Sequence, residues 1–502
     1  MIAKARSAGL GTPILVGLAA VAVTLVAARN LALAAAVPAT VAIAVVVAAT
    51  AVAQRLRELV VRMRRTPLRS RNLDLGEFRM PRRAPRLMMR PRGLEWLPVA
   101  VAATGAAVAG RDGGDALGVA AIVLAALLAC VPVAVLARLL WRDHRTRLRE
   151  RATDAISRAV GRYEPELILY FAGSAEELYQ LRMWFAPVER LGLRVLIVVR
   201  SDLVMDQLGR PPFPVIGSTY NGLIAALPLP KRVVTLFVTH SGNNLSMVRR
   251  RETVCVFVGH GESDKPDSSN PYARLYDEVW VAGPLGRRRY AEAGVGVRDE
   301  AIREIGRPQF VAPTQPPDGP AVIVYAPTWE GWGDDEHHSS LAHAGVVLVE
   351  ALLAVPGVEV RYRPHPLTGQ RDLAVRRAHR EIVKRVGRVP ATEPISRTMA
   401  GAAGLVADVS SVIGEYLAYD RPYAVIDTRG LGRRAHSRRF PSSAGAFLLG
   451  PDLAGLGAFV DAATGGRDST ASRRRALIAD ALGDPATAQQ RFAAEVARLR
   501  RG

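Results

Sequence analysis

Cysteine is almost missing from this sequence: Cys130 and Cys255 are the two in 502 residues. One falls in an apolar stretch and the other in a predicted buried strand of a different unit. That excludes a disulfide framework and suits a catalytic region kept in a reducing compartment. No cluster of Cys and His has zinc-ligand spacing, so no structural metal is expected. Aromatic residues make up only 6% of the chain, and the Arg-rich loop lacks an interleaved set of them, which argues against a nucleic-acid partner. Acidic residues are scarce in the first 150 positions. The apolar stretches there hold no ionisable side chain at mid-length, which excludes an intramembrane transport pathway.

What is present is positive charge, a formal net +21. The densest arginine runs flank apolar segments, which points to lipid headgroups as the acidic partner. The length calls for two or three folding units. Four stretches read as membrane spans: 14–28, 31–53, 96–110 and 116–137. A bilayer-crossing helix needs roughly 20 apolar residues, so the second and fourth carry the prediction and the other two depend on them. Lys4 and Arg6 ahead of the first stretch resemble a signal peptide. The second stretch follows after only Arg29 and Asn30, however, which suits a tight helical hairpin. About a dozen arginines between Gln54 and Gly93, and more from Arg138 to Arg149, predict cytoplasmic loops and cytoplasmic termini. The expected location is therefore the cell membrane, multi-pass, with a cytoplasmic catalytic region.

From Glu164 the texture becomes that of an α/β protein. Short apolar runs at 166–172, 193–199, 233–239, 253–258 and 278–282 alternate with helical patterns, notably one over 175–190. This predicts a parallel sheet covered on both faces. The Pro-rich stretch 311–320 reads as a linker to a second lobe. Strands at 321–325, 358–363 and 404–409 follow, with a helix over about 341–353. The expected division is a transmembrane region over 1–150, a first Rossmann-like lobe over 151–312, a second over 313–466, and a helical tail over 467–502.

Ligands in parallel sheets bind beyond the carboxyl ends of the strands. After the strand ending at Val258 comes Gly259-His260-Gly261, where flanking glycines let the backbone approach a substrate and the imidazole can take a proton at neutral pH. His240 follows the preceding strand, but nothing around it adds specificity, so a structural role is expected. In the second lobe, Pro364 and Pro366 hold His365 in a rigid presentation. Ser410-Ser411 stands between a strand and a helix start, an arrangement suited to a phosphate and equally to a plain N-cap. Glu415 lies one turn further on, within reach of a ribose hydroxyl.

Together these pieces resemble the CDP-glycerol:poly(glycerophosphate) glycerophosphotransferase family, the teichoic-acid polymerases and primases. The matching stretches are His260-Gly261 with Lys265, Tyr325-Ala326-Pro327-Thr328-Trp329, Arg363-Pro364-His365-Pro366, and Asp408-Val409-Ser410-Ser411. The last continues into Glu415-Tyr416 and Asp420-Arg421-Pro422. The chain departs from the family at Glu262-Ser263-Asp264, where Thr-Pro-Leu is usual, and at Glu415, where an Asp is familiar. The resemblance implies a GT-B architecture of two Rossmann-like lobes and a reaction that needs no metal or other cofactor. It implies His260 as general base, with Arg363, His365, Ser410, Ser411, Thr328 and Glu415 on the donor. Lys265, Asp408 and Arg421 are further candidates. The implied partners are a CDP-glycerol-like nucleotide-activated donor, a lipid-linked acceptor and membrane lipids, with CMP released. A glycosyltransferase using a UDP- or GDP-sugar and a non-catalytic membrane-associated binding protein are the alternatives.

Overall fold

The computed structural model describes residues 29, 33–64, 69–79, 96–108, 115–145, 147–310, 319–331, 339–390 and 393–501. The expected first span, the linker core at 311–318 and the loop residues 80–95 lie outside the described residues. The chain divides into two compact units. One is drawn from residues 1–69, 74–159 and 218–223, the other from 70–73, 160–217 and 224–502.

Within the first unit, helices Leu33–Arg64, Trp96–Val108 and Asp115–Arg145 pack on one another. Small side chains line their contact: Ala39, Ala42, Ala49, Ala102, Ala106, Ala125 and Ala129 are all buried. Close backbone approach through small residues is the usual way apolar helices associate. Gly105 shows how close: a Cβ there would lie 2.7 Å from the Gly118 carbonyl oxygen. Two segments, Ala39–Val60 and Asp115–Arg145, are long and apolar enough to cross a membrane. Helix Trp96–Val108 has 13 residues, about 20 Å at the usual rise, shorter than a bilayer core. Val41, Leu117, Leu124 and Leu127 are exposed on the longer pair.

The second unit holds two sheets. The first has the order β1-β4-β3-β2-β5-β6-β7-β8, where β1 is Arg69–Arg71, β2 Leu167–Phe171, β3 Val195–Val199 and β4 Val215–Gly217. The rest are β5 Val233–Phe237, β6 Thr253–Phe257, β7 Glu278–Val281 and β8 Ile302–Glu304. Strands β2 to β8 pair in parallel. All five residues of β2, Leu-Ile-Leu-Tyr-Phe, are buried, as expected of a strand covered on both faces. Leu167, Leu169 and Phe171 share one core with Trp184 and with Phe492, Val496 and Leu499. Helix Ala488–Arg501 therefore returns from the end of the chain to cover this sheet. The single helix expected over 175–190 is instead two short helices, Leu178–Arg182 and Phe185–Glu189.

The second sheet has the order β10-β9-β11-β12-β13, parallel throughout. Its strands are β9 Ala321–Ala326, β10 Val358–Tyr362, β11 Gly404–Ala407, β12 Tyr423–Ile426 and β13 Phe447–Leu449. Residues alternate between faces as the pleat requires: Val322, Val324 and Ala326 enter one core, Ile323 and Tyr325 the other. Helix Ala471–Leu482 lies at the junction, its Leu477 and Ala481 in the same core as Ala282 and Leu285 of the first lobe. The result is a GT-B-like pair of Rossmann-like lobes. Among β2 to β8 the strand order reverses between β2 and β5, and in the second sheet it reverses between β9 and β11. Those crevices, at the carboxyl ends, are where such sheets bind ligands.

Candidate active site

His260 follows β6 on a loop shaped by two glycines. Gly259 has φ +59° and Gly261 φ +154°, conformations that disfavour side-chained residues. A Cβ on Gly261 would also come within 2.7 Å of the Ser411 Cβ, so this loop lies directly against the second lobe. The buried indole of Trp184 donates to the Gly259 carbonyl at 2.7 Å and fixes the start of the loop. Burial pushes the His260 imidazole down to about 4, a backbone hydrogen bond to Val238 opposes this, and the charge of Arg307 pushes it further down. At neutral pH the ring is uncharged. A neutral imidazole keeps a lone pair on one nitrogen, the requirement for a general base.

His365, after β10, is also held neutral, pushed down to about 3 by burial, with the nearby His260 and Lys265 adding to the effect. The Leu367 backbone N–H donates to its Nδ1 at 3.2 Å. Neutral His365 therefore carries its proton on Nε2. That nitrogen faces the Tyr179 hydroxyl at 3.3 Å, and Trp329 stacks on the ring at 5.7 Å between centroids. The Tyr179 ring stands edge-on to both His260 and His365, 5.9 Å from each.

Lys265 crosses from the first lobe and donates to Thr328 Oγ1 at 2.9 Å. Thr328 follows β9, and its backbone N–H donates to Asp408 Oδ2 at 2.9 Å. The same oxygen accepts from the Ser340 backbone at 3.1 Å. Asp408 thus ties the loop after β9 to the loop after β11, across the reversal point of the second sheet. Burial pushes its carboxyl up to about 6, against these hydrogen bonds. Ser410 Oγ is buried without a partner among the described residues, an uncommon state for a hydroxyl and one a ligand oxygen would relieve.

Glu415 is ion-paired with Arg307, both side chains being more than nine-tenths buried. The pair joins the end of the first lobe to helix Val412–Leu417. Arg307 lies beside the Gly261 approach, and burial lowers its guanidinium to about 10, still a cation at neutral pH. Arg363 is engaged by Thr398 Oγ1 at 2.7 Å and the Glu393 carbonyl at 2.8 Å. Arg421 donates to the Ala400 and Ala402 carbonyls and lies over the Tyr419 ring.

The structure brings His260 and His365 together through Tyr179, joins Lys265, Thr328 and Asp408 by hydrogen bonds, and sets Ser411 against Gly261 and Glu415 against Arg307, with Ser410 beside Ser411 in sequence. Tyr179, Arg307 and Trp184 join them, and sequence reasoning gave none of the three a role in the site. A GRP tripeptide reads as a loop end, and Tyr179 sits in an ordinary apolar pattern, so neither carries a motif signal. Glu262 and Asp264 have structural partners: Glu262 accepts from the Ala282 backbone at 2.5 Å. Asp264 pairs with Arg289 and accepts from the Ser442 backbone of the second lobe at 2.8 Å. His240 is stacked on Phe257 at 3.8 Å, its ring nitrogens buried and without hydrogen-bond partners. Among the described residues no group of three or more His, Cys, Asp and Glu could hold a metal ion.

Residues 297–428 match the model of the family "CDP-Glycerol:Poly(glycerophosphate) glycerophosphotransferase". No curated protein sequence matches the chain. Among solved structures, the wall teichoic acid polymerase TagF is similar at 13% identity and TM-score 0.48, over 72% of this chain and 97% of that one. S. aureus MnaA with UDP is similar at 11% and 0.43, over 66% and 96%. Anabaena HepE in complex with UDP is similar at 14% and 0.39, over 66% and 100%. The matched stretch runs from β8 to just past β12 and contains Arg307, Thr328, His365, Asp408 and both serines. Over residues 297–428, then, the chain is similar to the CDP-glycerol glycerophosphotransferases.

Proposed function

We propose that the protein moves a glycerol-phosphate, or a related polyol-phosphate, from a CDP-activated donor to a hydroxyl of a lipid-linked cell-envelope acceptor, releasing CMP. The observation that carries this is the meeting, in one cleft, of a neutral imidazole from the first lobe with the hydroxyls, imidazole and cations of the family segment. The acceptor oxygen attacks the phosphorus bearing the glycerol, and the bond from that phosphorus to the bridging oxygen breaks. His260 takes the hydroxyl proton. The negative charge that develops on departing CMP is met by Lys265, by Arg307 and by the Nε2–H of His365, fixed donors in a largely buried setting. Ser410 and Ser411 offer hydroxyls to the phosphates. Asp408 acts indirectly, by holding the Thr328 loop.

Segments Ala39–Val60 and Asp115–Arg145 anchor this catalysis to the membrane, and the expected four-span arrangement, in which Trp96–Val108 crosses as a short segment, puts the basic loops and the transferase lobes in the cytoplasm. The exposed leucines of the long helices supply a lipid-facing surface. The accompanying domain scheme is 1–150, 151–312, 313–466 and 467–502. Alkaline extraction of membranes leaves the chain in the pellet on this account; its release into the supernatant contradicts it. The substrate test offers CDP-glycerol, CDP-ribitol, UDP-sugars and GDP-sugars to membranes containing the protein, with a lipid extract. The expected product is CMP from a CDP-polyol. Release of UDP or GDP instead makes it a sugar transferase, and silence across the panel supports a binding role.

A further inference from the structure

Tyr179 belongs to the first lobe, yet its hydroxyl lies against a second-lobe histidine. Its ring is perpendicular to both His260 and His365, at 89° and 86°, and equidistant from them. The His365 tautomer makes the contact directional. The Leu367 N–H occupies His365 Nδ1, so His365 Nε2–H is the donor and the Tyr179 oxygen the acceptor. Gln180 Nε2 approaches the same oxygen at 3.5 Å, holding the phenol from its own side. Burial pushes the pKa of the phenol up, so it stays protonated. We propose that Tyr179 is a positioning residue that aligns the two histidines across the cleft, fixing the direction of the His365 Nε2–H when the lobes meet.

The physical reason is orientation. An imidazole can rotate about its last side-chain bond; Trp329 stacking restrains the ring plane, and the Leu367 N–H holds its Nδ1 edge. The Tyr179 oxygen on the opposite lobe fixes the Nε2 edge, and does so only while the lobes are together. Hydrogen-bond donors assist a transition state when they are aimed before the charge develops. Tyr179 acts through His365 and need not touch the substrate.

This inference rests on the proposed phosphotransfer, and a double-mutant cycle separates the two. Full-length Tyr179→Phe, His365→Ala and the double variant are compared with the unsubstituted protein for CMP release from CDP-glycerol. Tyr179→Phe is expected to lower kcat about tenfold while KM for the donor moves less than about threefold. In the His365→Ala background the same change is expected to have no further effect, within about twofold. A Tyr179→Phe protein with unchanged kcat overturns the inference. A loss that multiplies with that of His365→Ala overturns it too, including where a lowered Tm shows a general packing defect. If the unsubstituted protein releases no CMP, the phosphotransfer reading fails and takes this inference with it.

Discussion

The two lobes share one architecture and furnish it differently. At the end of β5 and β6 the first lobe presents imidazoles among aromatic rings: His240 on Phe257, His260 beside Tyr179. Both imidazoles are pushed down to about 4, chiefly by burial. At the end of β9 and β11 the second lobe presents hydroxyls, backbone N–H groups bound to Asp408, and a lysine reaching in from its partner. A parallel sheet fixes where loops cluster, and the loop residues decide what they can hold. A neutral base suits an uncharged hydroxyl, whereas a dense set of donors suits a diphosphate. On the proposed function, the same fold thus divides acceptor from donor chemistry.

Removing either side's central residue is the strongest way to break this contrast. His260→Ala is expected to lower CMP release at least a hundredfold, the usual scale of general-base loss, in a nucleotide-release assay. Next in size is the pair that joins the lobes. Arg307→Met strands the buried Glu415 carboxylate and is expected to cost about 3 kcal/mol of stability in denaturant unfolding, whereas the Arg307→Met/Glu415→Leu double variant recovers most of it. Equal loss in single and double variants would show that Arg307 serves something besides its partner.

Acid sharpens the contrast further. His240, His260 and His365 all have folded-state values below the ordinary 6.5. The unfolded chain therefore binds more protons between about 6.5 and 4, so stability is intact above 6.5 and is lost as pH falls through that window. Asp408 runs oppositely, being raised from 3.8 to about 6, so it favours the folded state as pH falls from 6 to 3.8. Three histidines outweigh one carboxylate, and Tm is expected to decline from pH 6.5 to 4. A flat profile would contradict the neutral-imidazole account. The smallest effect is expected at His240. Replacement by Phe keeps the stacking, removes two buried nitrogens that have no partners, and should leave Tm unchanged or slightly raised.

Strands β2, β3, β5, β6 and β9 were legible in the sequence because burial on both faces makes each an unbroken apolar run. Val215–Gly217, Ile302–Glu304 and Phe447–Leu449 have three residues each, too few to show a pattern. The helix expected over 175–190 breaks at Met183 and Trp184, where the indole turns inward to hold the Gly259 carbonyl, a tertiary demand with no local signal. His260 was visible through its two glycines, and His365 through its two prolines. Tyr179 and Arg307 were not, since their importance lies in contacts across the cleft, with His365 and Glu415. Glu415 was visible as a position, but its counter-ion is 108 residues away.

The central claim is that His260 serves the acceptor and His365 the donor. Equilibrium binding of CDP-glycerol to the His260→Ala and His365→Ala proteins tests it most directly. The account predicts donor affinity within about threefold of the unsubstituted protein for the first and at least about tenfold weaker for the second. Weakened binding in His260→Ala, with His365→Ala unaffected, would contradict it.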